Sequence, residues 1–282
     1  MKTIPIVVQN VDRNVRRHDY DQFEDKLLVT SYFRTLQGEG MYSGQPAVFL
    51  RLAGCNLGSK QDLCSWCDTS FQFDKGRAFE FTELLFELMS LPGYSESDIL
   101  VITGGEPTLQ DNLLGFIQCI DDESFRRVQI ETNGTQAAFF KQLEDHEDNL
   151  LEEGMEEIAA SWVRPSIVVS PKGSTVAGRI PEPSPLVLRY ASCLKFVVTA
   201  DESDPHHTVP EWAQAYRENG GRVYVSPMAV YSRPYQGEVS SIWEDGLINR
   251  EATAANYSYA AKYAMDNNFY LSLQTHLFCA LP

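Results

Sequence analysis

No apolar run in the chain reaches the roughly 20 residues that a bilayer-spanning helix needs, so no membrane contact is expected. Basic clusters are missing too. Lys and Arg number 23 against 39 Asp and Glu, a net charge of −16, and no Lys/Arg-rich stretch offers the basic face of a nucleic-acid binder. The start, Met1 to Asn10, has no basic segment followed by an apolar core and a small-residue cleavage site, which leads us to expect a cytoplasmic protein. Cysteine is sparse, at six residues, and a disulfide framework is not expected in a cytosolic chain of 282 residues. Cys119, Cys193 and Cys279 lie in apolar surroundings and read as buried thiols. No internal repeat and no clear linker divides the chain, so one domain is expected over residues 1–282.

What is present alternates. Short β-branched or aromatic runs recur at Ala47–Leu52, Ile99–Ile102, Val128–Ile130, Ile167–Val169, Leu194–Val198, Arg222–Val225 and Tyr270–Leu273. Between some of them lie helical patterns. Thr82 can cap a helix striped by Leu84, Leu85, Leu88 and Met89; Asn112 to Ile120 reads as a second; Pro210 opens a third that Gly220 and Gly221 end. This order predicts parallel βα units, an α/β fold. Three segments read as additions: a polar, irregular N-terminal extension at 1–26, an acidic stretch at 143–164, and a proline-rich stretch at 176–192. Pro181, Pro183 and Pro185 rule out a regular helix in the last.

Polar groups gather just past the apolar runs. They are Arg51 and Cys55, Thr103 to Glu106, Glu131-Thr132-Asn133, Ser170-Pro171-Lys172, Ser226-Pro227 and Gln274-Thr275-His276. The carboxyl ends of parallel strands are where α/β barrels and open sheets build their sites, so a shared site at one rim is expected.

Two motifs carry chemistry. Cys55, Cys64 and Cys67 form a set with eight residues between the first two and a C-x-x-C doublet at the end. Three thiolates can hold three irons of a [4Fe–4S] cluster and leave one open. A structural zinc site, with Asp68 or a distant His as fourth ligand, and a redox dithiol are the other readings of the cysteines. Thr103-Gly104-Gly105-Glu106-Pro107 follows Ile99–Ile102. Its glycines would let backbone approach a ligand closely, and Glu106 would accept from an ammonium group. An ordinary strand-to-helix turn is the plainer reading.

With the three cysteines upstream, this loop resembles that of the radical S-adenosylmethionine superfamily. The usual cysteine spacing is three residues then two; here the first gap is longer, and residues 56–63 would form a loop. The flanks resemble one family within it, the 7-carboxy-7-deazaguanine synthases. They are Leu36-Gln37-Gly38-Glu39-Gly40, the run Gly44 to Asn56, Trp66-Cys67-Asp68-Thr69, Glu131-Thr132-Asn133-Gly134, Ser170-Pro171-Lys172, and the tail with His276 and Pro282. The likeness covers about residues 28–282.

The resemblance implies an incomplete barrel of parallel strands, a [4Fe–4S] cluster on Cys55, Cys64 and Cys67, and S-adenosylmethionine chelating the open iron. Thr103, Gly104, Gly105 and Glu106 would line the cofactor's amino-acid end, Trp66 its adenine, and Ser170 and Lys172 its ribose or carboxylate. It also implies a reaction, the radical ring contraction of 6-carboxy-5,6,7,8-tetrahydropterin to 7-carboxy-7-deazaguanine with loss of ammonia. Mg2+ would sit by Thr69, whose hard oxygen suits it. Arg51 would hold the substrate carboxylate, while Gln37, Glu39, His276 and the terminal carboxylate of Pro282 would meet the ring. An external electron donor and a homodimer complete that expectation. A glycyl-radical-enzyme activase would share the cluster and the glycine-rich loop without needing Gln37-Gly38-Glu39 or Thr69. A non-catalytic iron–sulfur or zinc module would leave the polar strand ends without a purpose.

Overall fold

An apolar run without a polar break has to be covered on both faces, and Ile99, Leu100, Val101 and Ile102 are all fully buried. They belong to a ten-stranded sheet in a computed structural model that describes residues 25–57, 76–152, 154–172, 180–232, 242–243 and 248–281, with the backbone of Val7–Val8. The strands β1 (Val7–Val8), β3 (Pro46–Leu52) and β4 (Arg77–Glu80) run antiparallel to β2 (Lys26–Leu36). Then come β5 (Ile99–Gly104), β6 (Arg127–Thr132), β7 (Ser166–Val169), β8 (Cys193–Val198), β9 (Val223–Pro227) and β10 (Tyr270–Leu271). From β3 through β5 to β10 each strand pairs in parallel with the next, the winding of a partial barrel. Every parallel strand coincides with a predicted apolar run.

Residues 37–45 bridge the two ends of the sheet. Gly40 N donates to Ser272 Oγ at 2.8 Å and Thr275 N to Gly38 O at 3.0 Å, joining the segment after β2 to the tail beyond β10. Tyr42 and Ser166, at the start of β7, share a 2.8 Å hydrogen bond.

Helices α1 (Phe81–Met89), α2 (Leu113–Gln118), α3 (Ala137–Asn149), α4 (Glu156–Ser161), α5 (Pro185–Tyr190), α6 (Glu211–Glu218), α7 (Arg250–Asn267) and α8 (Thr275–Cys279) complete the described chain. Leu84, Leu88, Phe116, Phe140 and Val187 supply fully buried side chains to the main core.

Several expectations are corrected. The N-cap of α1 is Glu80, and Thr82 lies inside the helix because β4 runs straight into it. The proline-rich stretch does contain a helix: Pro185 occupies the first turn of α5, where no N–H is needed, and the Ser184 hydroxyl accepts from Val187 N at 3.4 Å. Val7 and Val8, in the extension read as irregular, pair with Tyr32 and Ser31. Cys193 is buried as expected, but Cys119 and Cys279 are exposed, at the ends of short helices whose apolar neighbours face inward. The acidic stretch divides between α3, which buries Phe139, Phe140 and Leu143, and α4, which buries none of its residues. Its carboxylates are partly paired, Glu144 with Lys141 and Arg189, and Glu147 with Arg164. Strands β2 and β4 and helix α7 were not foreseen. Thr30, Ser31 and Thr35 break the apolar pattern of β2, and α7 turns Thr253, Asn256, Ala260 and Ala264 inward.

Candidate active site

The β3–β5 register sets Arg51 opposite Thr103 and Leu52 opposite Gly104. Gly104 has φ +139°, and a Cβ there would lie 2.1 Å from Leu52 O. A Cβ on Gly105 would lie 2.1 Å from Gly54 O and 2.7 Å from the Cys55 Cβ. Glu106 N donates to Gly54 O at 2.8 Å. The glycine pair therefore lets the Leu52–Cys55 backbone seat directly on the end of β5; its close approach is to the chain itself. Gln110 holds the same junction from behind, its Nε2 donating to Leu28 O (2.9 Å) and Ala53 O (3.2 Å).

Glu106 is fully buried, and its carboxylate is committed. Oε1 accepts from Thr108 N (3.1 Å), Thr108 Oγ1 (2.5 Å) and Thr132 Oγ1 (2.6 Å), and Oε2 accepts from Asn133 N (2.6 Å). Burial pushes its pKa up against these four donors. In this structure its oxygens tie the Gly-Gly-Glu-Pro loop to the end of β6. Asn133 Nδ2 donates onward to Asn56 Oδ1 (3.0 Å), and Asn56 Nδ2 to Thr135 Oγ1 (2.7 Å). Cys55 is in this way framed by side chains from two strand ends.

One cavity collects the strand-end groups. Gln37, Glu39, Arg51, Cys55, Thr103, Gly104, Gly105, Ser170, Lys172 and His276 all line it, while Glu106 lies behind. Cys64, Cys67, Trp66, Thr69 and Pro282 lie outside the described residues. Arg51 makes no ion pair among the described residues; its guanidinium stacks on Phe33 at 4.8 Å, and Phe33 stacks with Phe49 at 5.5 Å. Lys172 Nζ donates to Ser170 Oγ at 2.8 Å.

Sequence reasoning missed Lys195 and left Glu131 as a strand-end residue without a role. Lys195 Nζ lies 2.6 Å from Glu39 Oε2 and 2.8 Å from Glu131 Oε2. Burial opposes ionisation of Glu39, but Lys195 and His276 outweigh it and lower its pKa to about 2. Burial likewise opposes the Lys195 ammonium, and Glu131 with Glu39 raises its pKa all the same. Glu131 Oε1 accepts from Gln129 Nε2 (2.6 Å) and Gln37 Nε2 (3.5 Å). Gln274, also on the wall, keeps a buried Oε1 with no hydrogen-bond partner among the described residues. The signal for Lys195 was a lone charge inside the apolar run Cys193–Val198.

Cys55, with its preceding backbone seated on a Gly-Gly-Glu-Pro turn at the carboxyl rim of a partial parallel barrel, has the placement of a cluster cysteine in radical S-adenosylmethionine proteins, and residues 50–162 match the Radical SAM superfamily. Relatives narrow this. The chain is 32% identical over 262 residues to the 7-carboxy-7-deazaguanine synthase of Rickettsia prowazekii, covering 91% of this chain and 89% of that protein. It is 31% identical over 247 residues to that of Rhodospirillum rubrum (83% and 88% covered) and 34% over 202 residues to that of Aquifex aeolicus (71% and 77%). The chain belongs to the 7-carboxy-7-deazaguanine synthase family. The fold is similar to the crystal structure of QueE from Escherichia coli, with TM-score 0.52 at 20% identity over 92% of this chain and 98% of that one.

The superfamily's cluster and S-adenosylmethionine fit what the structure shows. Cys55, a thiolate donor of the kind an iron–sulfur cluster needs, lines the cavity together with Gly104 and Gly105.

Proposed function

We propose that the protein converts 6-carboxy-5,6,7,8-tetrahydropterin to 7-carboxy-7-deazaguanine with loss of ammonia, using a [4Fe–4S] cluster, S-adenosylmethionine and Mg2+. When bound, the cluster and S-adenosylmethionine supply removal and return of a hydrogen atom at C6 of the pterin, with one electron from an external donor. The observation that carries the reading is the pairing, on one cavity, of a guanidinium with no ion pair among the described residues and a set of carboxylate and amide acceptors.

Arg51 binds the substrate carboxylate through its forked donors, with Phe33 holding the guanidinium plane. Gln37, Glu39 and His276 read the donor and acceptor edge of the ring, joined by the terminal carboxylate of Pro282. The Thr103–Gly105 edge meets the amino-acid end of S-adenosylmethionine, Trp66 its adenine, and Ser170 with Lys172 its carboxylate or ribose. Cys55, Cys64 and Cys67 hold the cluster, and Thr69 offers an oxygen to Mg2+.

The protein acts as a single domain, supported by the continuous sheet, with residues 1–26, 143–164 and 176–192 as additions to it. It works in the cytoplasm as a homodimer. Exposed Tyr270 and Leu271 on the edge strand β10, with exposed Leu273 just beyond it, support self-association.

The test is an anaerobic assay of reconstituted protein with S-adenosylmethionine, Mg2+, a reductant and 6-carboxytetrahydropterin, read by mass spectrometry. A 7-carboxy-7-deazaguanine peak that is lost in Cys67→Ala supports the proposal. Accumulation of 5′-deoxyadenosine without deazaguanine would overturn the substrate assignment.

A further inference from the structure

Lys195 carries its charge between Leu194 and Phe196, which are 0% and 1% exposed. An ammonium in such a strand loses its water, and an apolar side chain of similar size often serves a fold as well or better. Here the ammonium is held by carboxylates from two other elements, Glu39 after β2 and Glu131 in β6. Glu39 takes a further hydrogen bond from Gln274. All four residues line the cavity. Among the described residues, the other titratable groups acting on this cluster are His276 from α8, Tyr257 from α7 and Cys193 from β8, and Arg51 and Lys172 are the other Lys and Arg on the cavity wall.

We propose that Lys195 is a positioning residue: it fixes Glu39 and Glu131 as a paired, ionised acceptor for a flat substrate edge rich in N–H donors. The inference rests on the pterin reading above, since a 2-amino-4-oxopyrimidine ring presents adjacent N–H donors. Two carboxylates gathered at one site without a cation disfavour each other's ionisation, and a protonated one would offer a donor where an acceptor is needed. With Lys195 Nζ donating to Oε2 of each, both are held as acceptors. Gln37 and Gln129, donating to Glu131 Oε1, set the angle of that carboxylate.

The test uses reconstituted, cluster-loaded enzyme and measures anaerobic binding of 6-carboxytetrahydropterin as a function of pH. Lys195→Met is expected to weaken binding roughly tenfold or more, the usual scale for losing a hydrogen bond to a charged group. The acidic limb of its binding profile should move toward neutral pH. Lys195→Arg should restore part of the affinity and the wild-type limb. Iron and sulfide per chain report that the variants fold. Should Lys195→Met fail to fold, Glu131→Gln decides, with the same tenfold weakening expected. Unchanged affinity and an unchanged pH profile in a folded Lys195→Met enzyme would overturn the role of Lys195, as would unchanged affinity in Glu131→Gln. Wild-type enzyme that cleaves S-adenosylmethionine but does not bind the pterin would instead overturn the substrate reading on which this rests.

Discussion

Gly38 and His276 compete for the same space: a Cβ on Gly38 would lie 2.3 Å from His276 Nδ1 and 3.1 Å from its Cγ. The segment 37–39 and helix α8 are held in that contact by Thr275, whose N and Oγ1 both donate to Gly38 O, at 3.0 and 3.1 Å. Gly38→Ala should therefore push the imidazole out of the cavity while leaving the core intact. We expect pterin affinity to fall about tenfold, as for loss of one polar contact, with unchanged iron content. Calorimetric titration checks the first and iron analysis the second.

Glu106 predicts a loss of stability first and of function second. Glu106→Ala would leave the buried donors of Thr108, Thr132 and Asn133 without their acceptor, at a cost of about 3 kcal/mol. Glu106→Gln keeps one oxygen but turns an amide donor toward another donor, and should cost about half as much. Anaerobic thermal unfolding should rank them wild type, Gln, Ala. Iron retention should follow the same order, because the network reaches Asn56 beside Cys55.

Glu39 makes a prediction about pH. Its folded pKa, about 2, lies below the ordinary 4.5, so its ionised form stabilises the fold. That contribution is complete above the ordinary value and is lost as pH falls toward about 2. Acid titration of thermal stability should be steeper for wild type than for Glu39→Gln over this window. Equal slopes would show that Lys195 does not select the Glu39 carboxylate.

Arg51 separates binding from stability. It stacks on Phe33 without an ion pair among the described residues, so Arg51→Gln should change stability by no more than about 1 kcal/mol. Loss of a two-pronged contact to a carboxylate should cost tenfold or more in kcat/KM, roughly 1.5–3 kcal/mol. Arg51→Lys should recover little, since an ammonium has neither the fork nor the flat face. Steady-state kinetics beside thermal unfolding tests both halves.

Much of the fold was legible because its cause is local. Ile99–Ile102 and Leu194–Val198 announce buried strands by composition, and Pro210 and Gly220 mark the bounds of α6 by backbone geometry. The cysteine set and the Thr103–Pro107 loop were legible as motifs, since each is continuous in the chain. Strand β2 was not, because Thr30, Ser31 and Thr35 look solvent-facing until a partner covers them. The prolines at 176–192 misled for a similar reason: Pro185 breaks a helix in its middle but can begin one, and its position in α5 decides between the two.

The sequence by itself determined the parallel strands β3 and β5 to β10, the rim on which polar groups gather and the family. Tertiary structure alone decided the use of each charge at that rim. Glu106 turns inward to bind two strand ends together, although its motif suggested a ligand contact. Lys195 meets acids 156 and 64 residues away, a coincidence that exists only once the sheet has wound and its register is set. Motifs report what neighbours along the chain can do; the ionisation and aim of a buried side chain follow from neighbours in space.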